Sequence, residues 1–244
     1  MAQVFKVHRP TCPATFPYSG ETFTREDQTP DPEFYASPRF VHHIDDRCRL
    51  ALQEYYAGVL PEPLPLSAEN SSESKTRPRI LDLCSSWTSH LPNSYAPPHT
   101  YVTGLGLSAP ELAANPLLSR RVVHDLNVDP ILPVEMTKLD VRTKAELESK
   151  DAPGHYEGTE AAYDAIICTV SVDYLVHPLE VFCELALVTR EAGTAHMAFS
   201  DRCFPSKVIR RWLEVGPAER CEMVASYFWF AGTTGEKPCE PGVL

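Results

Sequence analysis

The stretch RILDLCSSWTSHLP, residues 79–92, decides the fold. After Arg79, residues 80–84 are an apolar run broken only by Asp82, so that 79–84 has the pattern of a short strand buried on both faces. The run then gives way to small polar residues around a single tryptophan. A strand covered on both faces needs strand neighbours and covering helices, and the chain supplies both. Further apolar runs lie at residues 99–105, 121–124, 163–168 and 194–199. Between the last two, residues 178–190 place Leu179, Phe182, Leu185, Ala186 and Thr189 on one helical face, with Pro178 at the start and Gly193 beyond the end. Strands alternating with helices imply crossover connections, so the expected class is α/β with a doubly wound, largely parallel sheet. In such a sheet ligands lie beyond the carboxyl ends of the strands, which directs attention to residues 82–90, 104–107, 125–127 and 169–174.

The rest of the chain sets bounds. It has 244 residues, 43% hydrophobic and 23% charged, enough for a full core, which excludes wholesale disorder. A net charge of −11 argues against nucleic-acid or anionic-membrane partners, which need clustered Lys and Arg. No apolar run reaches the roughly 18 residues of a membrane span. The eight cysteines show no C-x-x-C pair and no zinc-ligand rhythm, so a reduced, intracellular and cytoplasmic protein without a metal is expected.

Four segments are expected. Residues 1–37 read as an irregular arm. Residues 38–60 read as an amphipathic lid helix, with Phe40, Val41, Ile44, Cys48, Ala51, Leu52, Tyr55 and Val59 on one stripe and Pro38 in its first turn. Residues 61–78 form a polar connector. Residues 79–244 form the core, with a polar excursion at 141–162 and a sixth strand at 225–230.

Element order and motifs together resemble the class I S-adenosylmethionine-dependent methyltransferases, within a methyltransferase-like group. The marks are Phe34-Tyr-x-x-Pro-Arg-Phe-Val41, Asp82-Leu-Cys-Ser-Ser-Trp87 with Ser89-His-Leu-Pro92, Gly104-Leu-Gly106, Asp125-Leu-Asn127, Val170-Ser-Val-Asp-Tyr-Leu175 and Phe199-Ser-Asp-Arg202. The resemblance implies S-adenosylmethionine as cofactor and a small molecule as methyl acceptor. It implies that Asp82, Cys84, Ser85, Ser86 and Trp87 cradle the amino-acid end. Gly104, Gly106 and Leu107 would border the ribose, Asp125 and Leu126 would meet the adenine, and Ser171 would lie near the transferred methyl. Asp173 and Tyr174, with His43 from the lid, would form the catalytic group, and Tyr35, Arg39 and Arg202 would bind substrate.

The departures from that family carry information. Cys84, Ser86 and Thr88 occupy the places of a glycine-rich turn. Gly106 stands where an acid grips the ribose: a carboxylate introduced there is expected to tighten binding if the ribose passes this position, and to gain nothing and destabilise the domain if the pocket is shaped for a different ligand. The last antiparallel strand of the family is expected to be missing or shortened, leaving a sheet edge through which an oligomer can form. A non-methylating enzyme (lyase, isomerase or cyclase) or a binding protein on the same scaffold is the alternative reading.

Several residues keep two readings. Asp82 is a ligand-side acid or the cap of a following helix. Cys84 is a nucleophile or a small filler. Trp87 is a stacking surface or a core residue. His43, or His42, is a general base oriented by Asp45, or part of a solvated face. His177 reads as a loop residue.

Overall fold

β1 (Arg79–Leu83) is the middle of the sheet. Its burial on both faces follows from its sequence: Ile80 points into one hydrophobic cluster while Leu81 and Leu83 point into the other. The computed structural model describes residues 14–65, 77–133, 136 and 163–231. β2 (Tyr101–Gly106) and β4 (Tyr163–Thr169) pair in parallel with β1 on either side. β3 (Arg120–Val123) lies beyond β2, and β5 (Thr189–Ala198) lies beyond β4, both parallel. The order β3-β2-β1-β4-β5 reverses direction at β1, the Rossmann-like, doubly wound arrangement that opens a crevice at the strand ends.

The helices described over their length are α1 (Asp31–Phe34), α2 (Asp46–Val59), α3 (Ala109–Ala114), α4 (Pro178–Val188), α5 (Arg210–Glu214) and α6 (Pro217–Phe230), of which α2 to α6 pack on the sheet. One face of the sheet packs Tyr56 of α2 and Leu112 of α3 against Ile80, Val102, Ala165 and Ile167. The other packs Val181, Phe182 and Leu185 of α4, Trp212 of α5 and Tyr227 of α6 against Leu81, Leu105, Ile166 and Cys168. No helix among the described residues is long and apolar enough to cross a membrane.

Five expectations need correction. The helix expected over 38–60 begins at Asp46, where the Asp45 side chain accepts the Cys48 backbone N–H at 2.9 Å and caps it. Pro38, Phe40, Val41, His42 and His43 therefore lie outside it, on a non-helical segment. No α-helix connects β1 to β2, only a short 3-10 turn at Asn93–Tyr95. Cys84 and His90 adopt left-handed backbone conformations, and Pro92, Pro97 and Pro98 lack the donors a helix needs. Residues 225–230 belong to α6 rather than a sixth strand, with Pro217 in its first turn. Helix α4 ends at Val188 and runs directly into β5 at Thr189, so Gly193 lies within the strand.

The last correction concerns the amino-terminal segment, which from residue 14 onward is bonded to the body. Asp27 N–H donates to the Ser206 carbonyl, and Arg210 N–H donates to the Thr24 carbonyl, each at 2.8 Å. Phe16 meets Phe230 edge-on at 5.6 Å. The polar excursion at 141–162 lies outside the described residues, as does most of the connector.

Candidate functional site

A cavity of about 240 Å³ opens at the carboxyl ends of β1, β2, β3 and β4. Its floor is the turn that leaves β1. Cys84, with φ of 54°, swings the chain back so that Ser85 N–H donates to the Leu105 carbonyl at 2.6 Å. Asp82 is buried beneath this turn and accepts the Ser85 hydroxyl at 2.6 Å. Burial pushes its carboxyl up to about 6, opposed by the hydroxyls of Ser85 and Ser89. No helix follows for Asp82 to cap; it fastens the turn.

Beyond the floor, Ser86 donates its hydroxyl to Glu111 Oε2 at 2.5 Å. Glu111 Oε1 accepts the Arg39 backbone N–H at 2.7 Å, which ties the turn to the lid segment. A second tie runs from Trp87 Nε1 to the Val41 carbonyl at 3.4 Å. The ring of His42 packs on Trp87 at 4.6 Å. Trp87 thus lines the cavity and supports the lid, not a helix face in the core.

The lid carries a cation held among aromatic rings. The Arg39 guanidinium carbon lies 4.4 Å from the Phe34 ring centre, 4.9 Å from Phe204 and 5.7 Å from Tyr35. His43 lies beside it, its ring edge-on to Phe204 at 5.4 Å. Burial first, and then the nearby Arg39 charge, lower the His43 pKa, so the imidazole is neutral and able to accept a proton near neutral pH. Asp45 does not orient His43. It caps α2 and faces Arg202 at 3.9 Å.

At the far end, Asp125 follows β3. Its Oδ1 accepts the Asn127 backbone N–H at 2.9 Å, while Oδ2 is buried and has no hydrogen-bond partner. Because Asp125 lines the cavity, that oxygen is an acceptor awaiting a donor. Asn127 next to it is satisfied on both sides, donating to Asp31 Oδ2 and the Tyr174 carbonyl and accepting from Val176 N–H. The Tyr174 hydroxyl accepts the Phe204 backbone N–H at 2.8 Å, and burial raises its pKa.

Most of the expected site residues therefore converge. Tyr35, Arg39, His43, Asp82, Cys84, Ser85, Ser86, Trp87, Gly106, Leu107, Asp125, Leu126, Ser171, Tyr174 and Arg202 all line the cavity. Two do not. Gly104 lies inside β2, where a Cβ would meet Leu118 and the Ser85 hydroxyl. Asp173 is 3% exposed and lies off the cavity, where burial pushes its carboxyl up to about 7. His177 precedes α4 and does not line the cavity either. Cys84 touches the cavity, and its thiol neighbours that of buried Cys168.

At Gly106 the geometry fits the second of the two expected outcomes, a crowded position. A Cβ there would lie 2.1 Å from the Ser85 carbonyl oxygen, so no side chain fits and a carboxylate cannot be added usefully. Sequence reasoning also missed Asp31, Glu111 and Phe204, which line the cavity. Of these only Glu111 left a signal, as the acid of a Pro-Glu pair opening the helix after β2.

No protein-family model matches the chain, and no curated protein matches it. Solved structures do. An S-adenosylmethionine dependent methyltransferase from Mesorhizobium loti is 17% identical with a TM-score of 0.33, covering 60% of this chain, which spans about half (49%) of that protein. A putative methyltransferase from Bacillus halodurans is 10% identical with a TM-score of 0.42, covering 73% of this chain and 67% of that one. The [4+2]-cyclase SpnF is 14% identical with a TM-score of 0.36, covering 75% and 68%.

Proposed function

We propose that the cavity binds S-adenosylmethionine and that the chain is a methyltransferase acting on a small anionic molecule. The observation that carries this reading is the orphaned Oδ2 of Asp125. A buried carboxylate oxygen at the end of β3, lining a cavity, calls for an N–H donor from a ligand, and the exocyclic amine of adenine supplies one. The bound cofactor would supply an electrophilic methyl on sulfur, so the protein's work is alignment, proton removal and exclusion of water.

Around that end, Leu126 offers an apolar edge, and Ser171 and Tyr174 border the space toward the lid. At the lid, Arg39 suits a substrate carboxylate or phosphate, since its rings fix the guanidinium without neutralising it. Arg202 is a second, more exposed cation on the same wall. Neutral His43 is placed to take a proton from a hydroxyl or amine as that atom is methylated.

Calorimetric titration with S-adenosylhomocysteine tests the reading. Saturable binding is expected, and Asp125→Asn should weaken it about tenfold, because the substituted amide can present a donor where the ligand also donates. No heat and no thermal shift with millimolar ligand would refute it. The alternative, a non-methylating enzyme or binding protein, is favoured by one feature: Gly106 carries no acid and has no room for one. Mass spectrometry of ligands that copurify with the protein separates the two.

A further inference from the structure

The sugar of an S-adenosyl ligand presents two neighbouring hydroxyls, and a carboxylate that accepts both is their natural partner. The end of β2 cannot provide one. The Cβ direction of Gly106 is filled by the Ser85 carbonyl, and Ser85 is itself anchored to Leu105. The carboxylate must therefore come from another cavity wall.

Four acids line the cavity: Asp31, Asp82, Glu111 and Asp125. Asp31 is committed. It accepts Arg25 Nη1 with both oxygens at 2.8 Å, accepts Asn127, and faces the buried Lys207 ammonium at 3.4 Å. Asp82 lies under the β1 turn and holds Ser85. Asp125 is assigned to the adenine in the reading above. Glu111 is left. It is 8% exposed, and no Lys or Arg side chain among the described residues pairs with it. Each of its oxygens accepts one hydrogen bond, from Arg39 N–H and from the Ser86 hydroxyl. A carboxylate has about four acceptor sites, so both oxygens retain capacity.

We infer that Glu111, at the start of α3, is the acceptor for the ligand's vicinal diol, in place of an acid at the end of β2. This rests on the cofactor reading. Its structural consequence is local: the residue that receives the sugar is also the one that fastens the lid at Arg39 and the floor at Ser86.

The test is a set of titrations on the full chain. S-adenosylhomocysteine is titrated first, and then adenosine and 2′,3′-dideoxyadenosine compete against it. Wild type should prefer adenosine by about tenfold to a hundredfold, the range of lost charge-assisted hydrogen bonds. Glu111→Gln should weaken S-adenosylhomocysteine binding by a similar factor and erase the preference. Glu111→Asp, which keeps the charge on a shorter arm, provides a second variant should the first fail to fold. Equal affinity of wild type for the two nucleosides, or a preference that survives Glu111→Gln, overturns the assignment while leaving the cofactor reading intact. No binding of S-adenosylhomocysteine to wild type overturns the cofactor reading, and the assignment with it.

Discussion

Replacing Asp173 by Asn should stabilise the protein above neutral pH. Asp173 is 3% exposed, and its carboxyl is pushed up to about 7, first by burial, with its own backbone N–H and the Arg220 charge opposing. Arg220 offsets only part: desolvation outweighs its charge, and its guanidinium makes its hydrogen bonds to the Trp212 carbonyl, through Nε and Nη2. The charged form is therefore disfavoured in the folded state and free in the unfolded chain, whose aspartate titrates near 3.8. Below about pH 4 both states hold the proton and Asp173 contributes no pH dependence. As pH rises toward about 7 the unfolded chain releases a proton that the folded chain keeps, so stability falls; above that it levels off. Moving from 3.8 to about 7, at roughly 1.4 kcal/mol per pH unit, amounts to about 4 kcal/mol. Asn is nearly isosteric and uncharged throughout. Urea denaturation of both proteins, followed by tryptophan fluorescence, should show a stability gap that grows from near zero at about pH 4 to several kcal/mol at about pH 8 in favour of the variant. Other groups titrate in both proteins and cancel in the difference. A gap independent of pH, or a variant less stable than wild type at about pH 8, would refute the reasoning.

Two further outcomes concern packing. Gly106→Ala forces a methyl to within 2.1 Å of the Ser85 carbonyl, so it should destabilise by about 1–3 kcal/mol or more, read as a lowered urea midpoint with unchanged slope. Lys207→Met removes a fully buried ammonium that bonds Thr29 and faces Asp27 and Asp31 at 3.4 Å; loss of about 3–5 kcal/mol is expected, with increased proteolysis of the amino-terminal segment it holds.

The sheet was legible because a buried parallel strand writes itself as a short apolar run: each of the five strands overlaps one of the expected runs, although β5 begins at Thr189, five residues before the run at 194–199. The helices were less so. In residues 217–230 the apolar run Val-Ala-Ser-Tyr-Phe-Trp-Phe suits either strand or helix; the deciding features, Pro217 and the length of α6, lie upstream of it. The lid helix was begun too early because its stripe continues backward through Val41 and Phe40, although Asp45 is the capping residue. The carboxyl ends of the expected parallel strands predicted where the cavity lies, and with it residues such as Asp125 and Ser85. It did not predict Asp31 or Phe204, which arrive from segments far away in sequence through side-chain contacts. Asp173 failed for a related reason: proximity along the chain to Ser171 and Tyr174 does not fix the wall toward which a side chain turns.

The turn after β1, Gly106 and Glu111 form one connected structure. With glycine at 106, the Ser85 carbonyl can lie against β2, a position any side chain there would deny it. The left-handed turn at Cys84 delivers Ser85 to that place, and Asp82 holds it by the hydroxyl. The next residue, Ser86, then reaches Glu111, and Glu111 reaches the backbone of Arg39 in the lid. Three of these links are hydrogen bonds of 2.5–2.7 Å to carboxylate oxygens. An acid placed at Gly106 would therefore break the floor. Residues 82, 84–86, 106 and 111 thus act as one unit, and a substitution at any of them is expected to disturb both the floor and the lid contact.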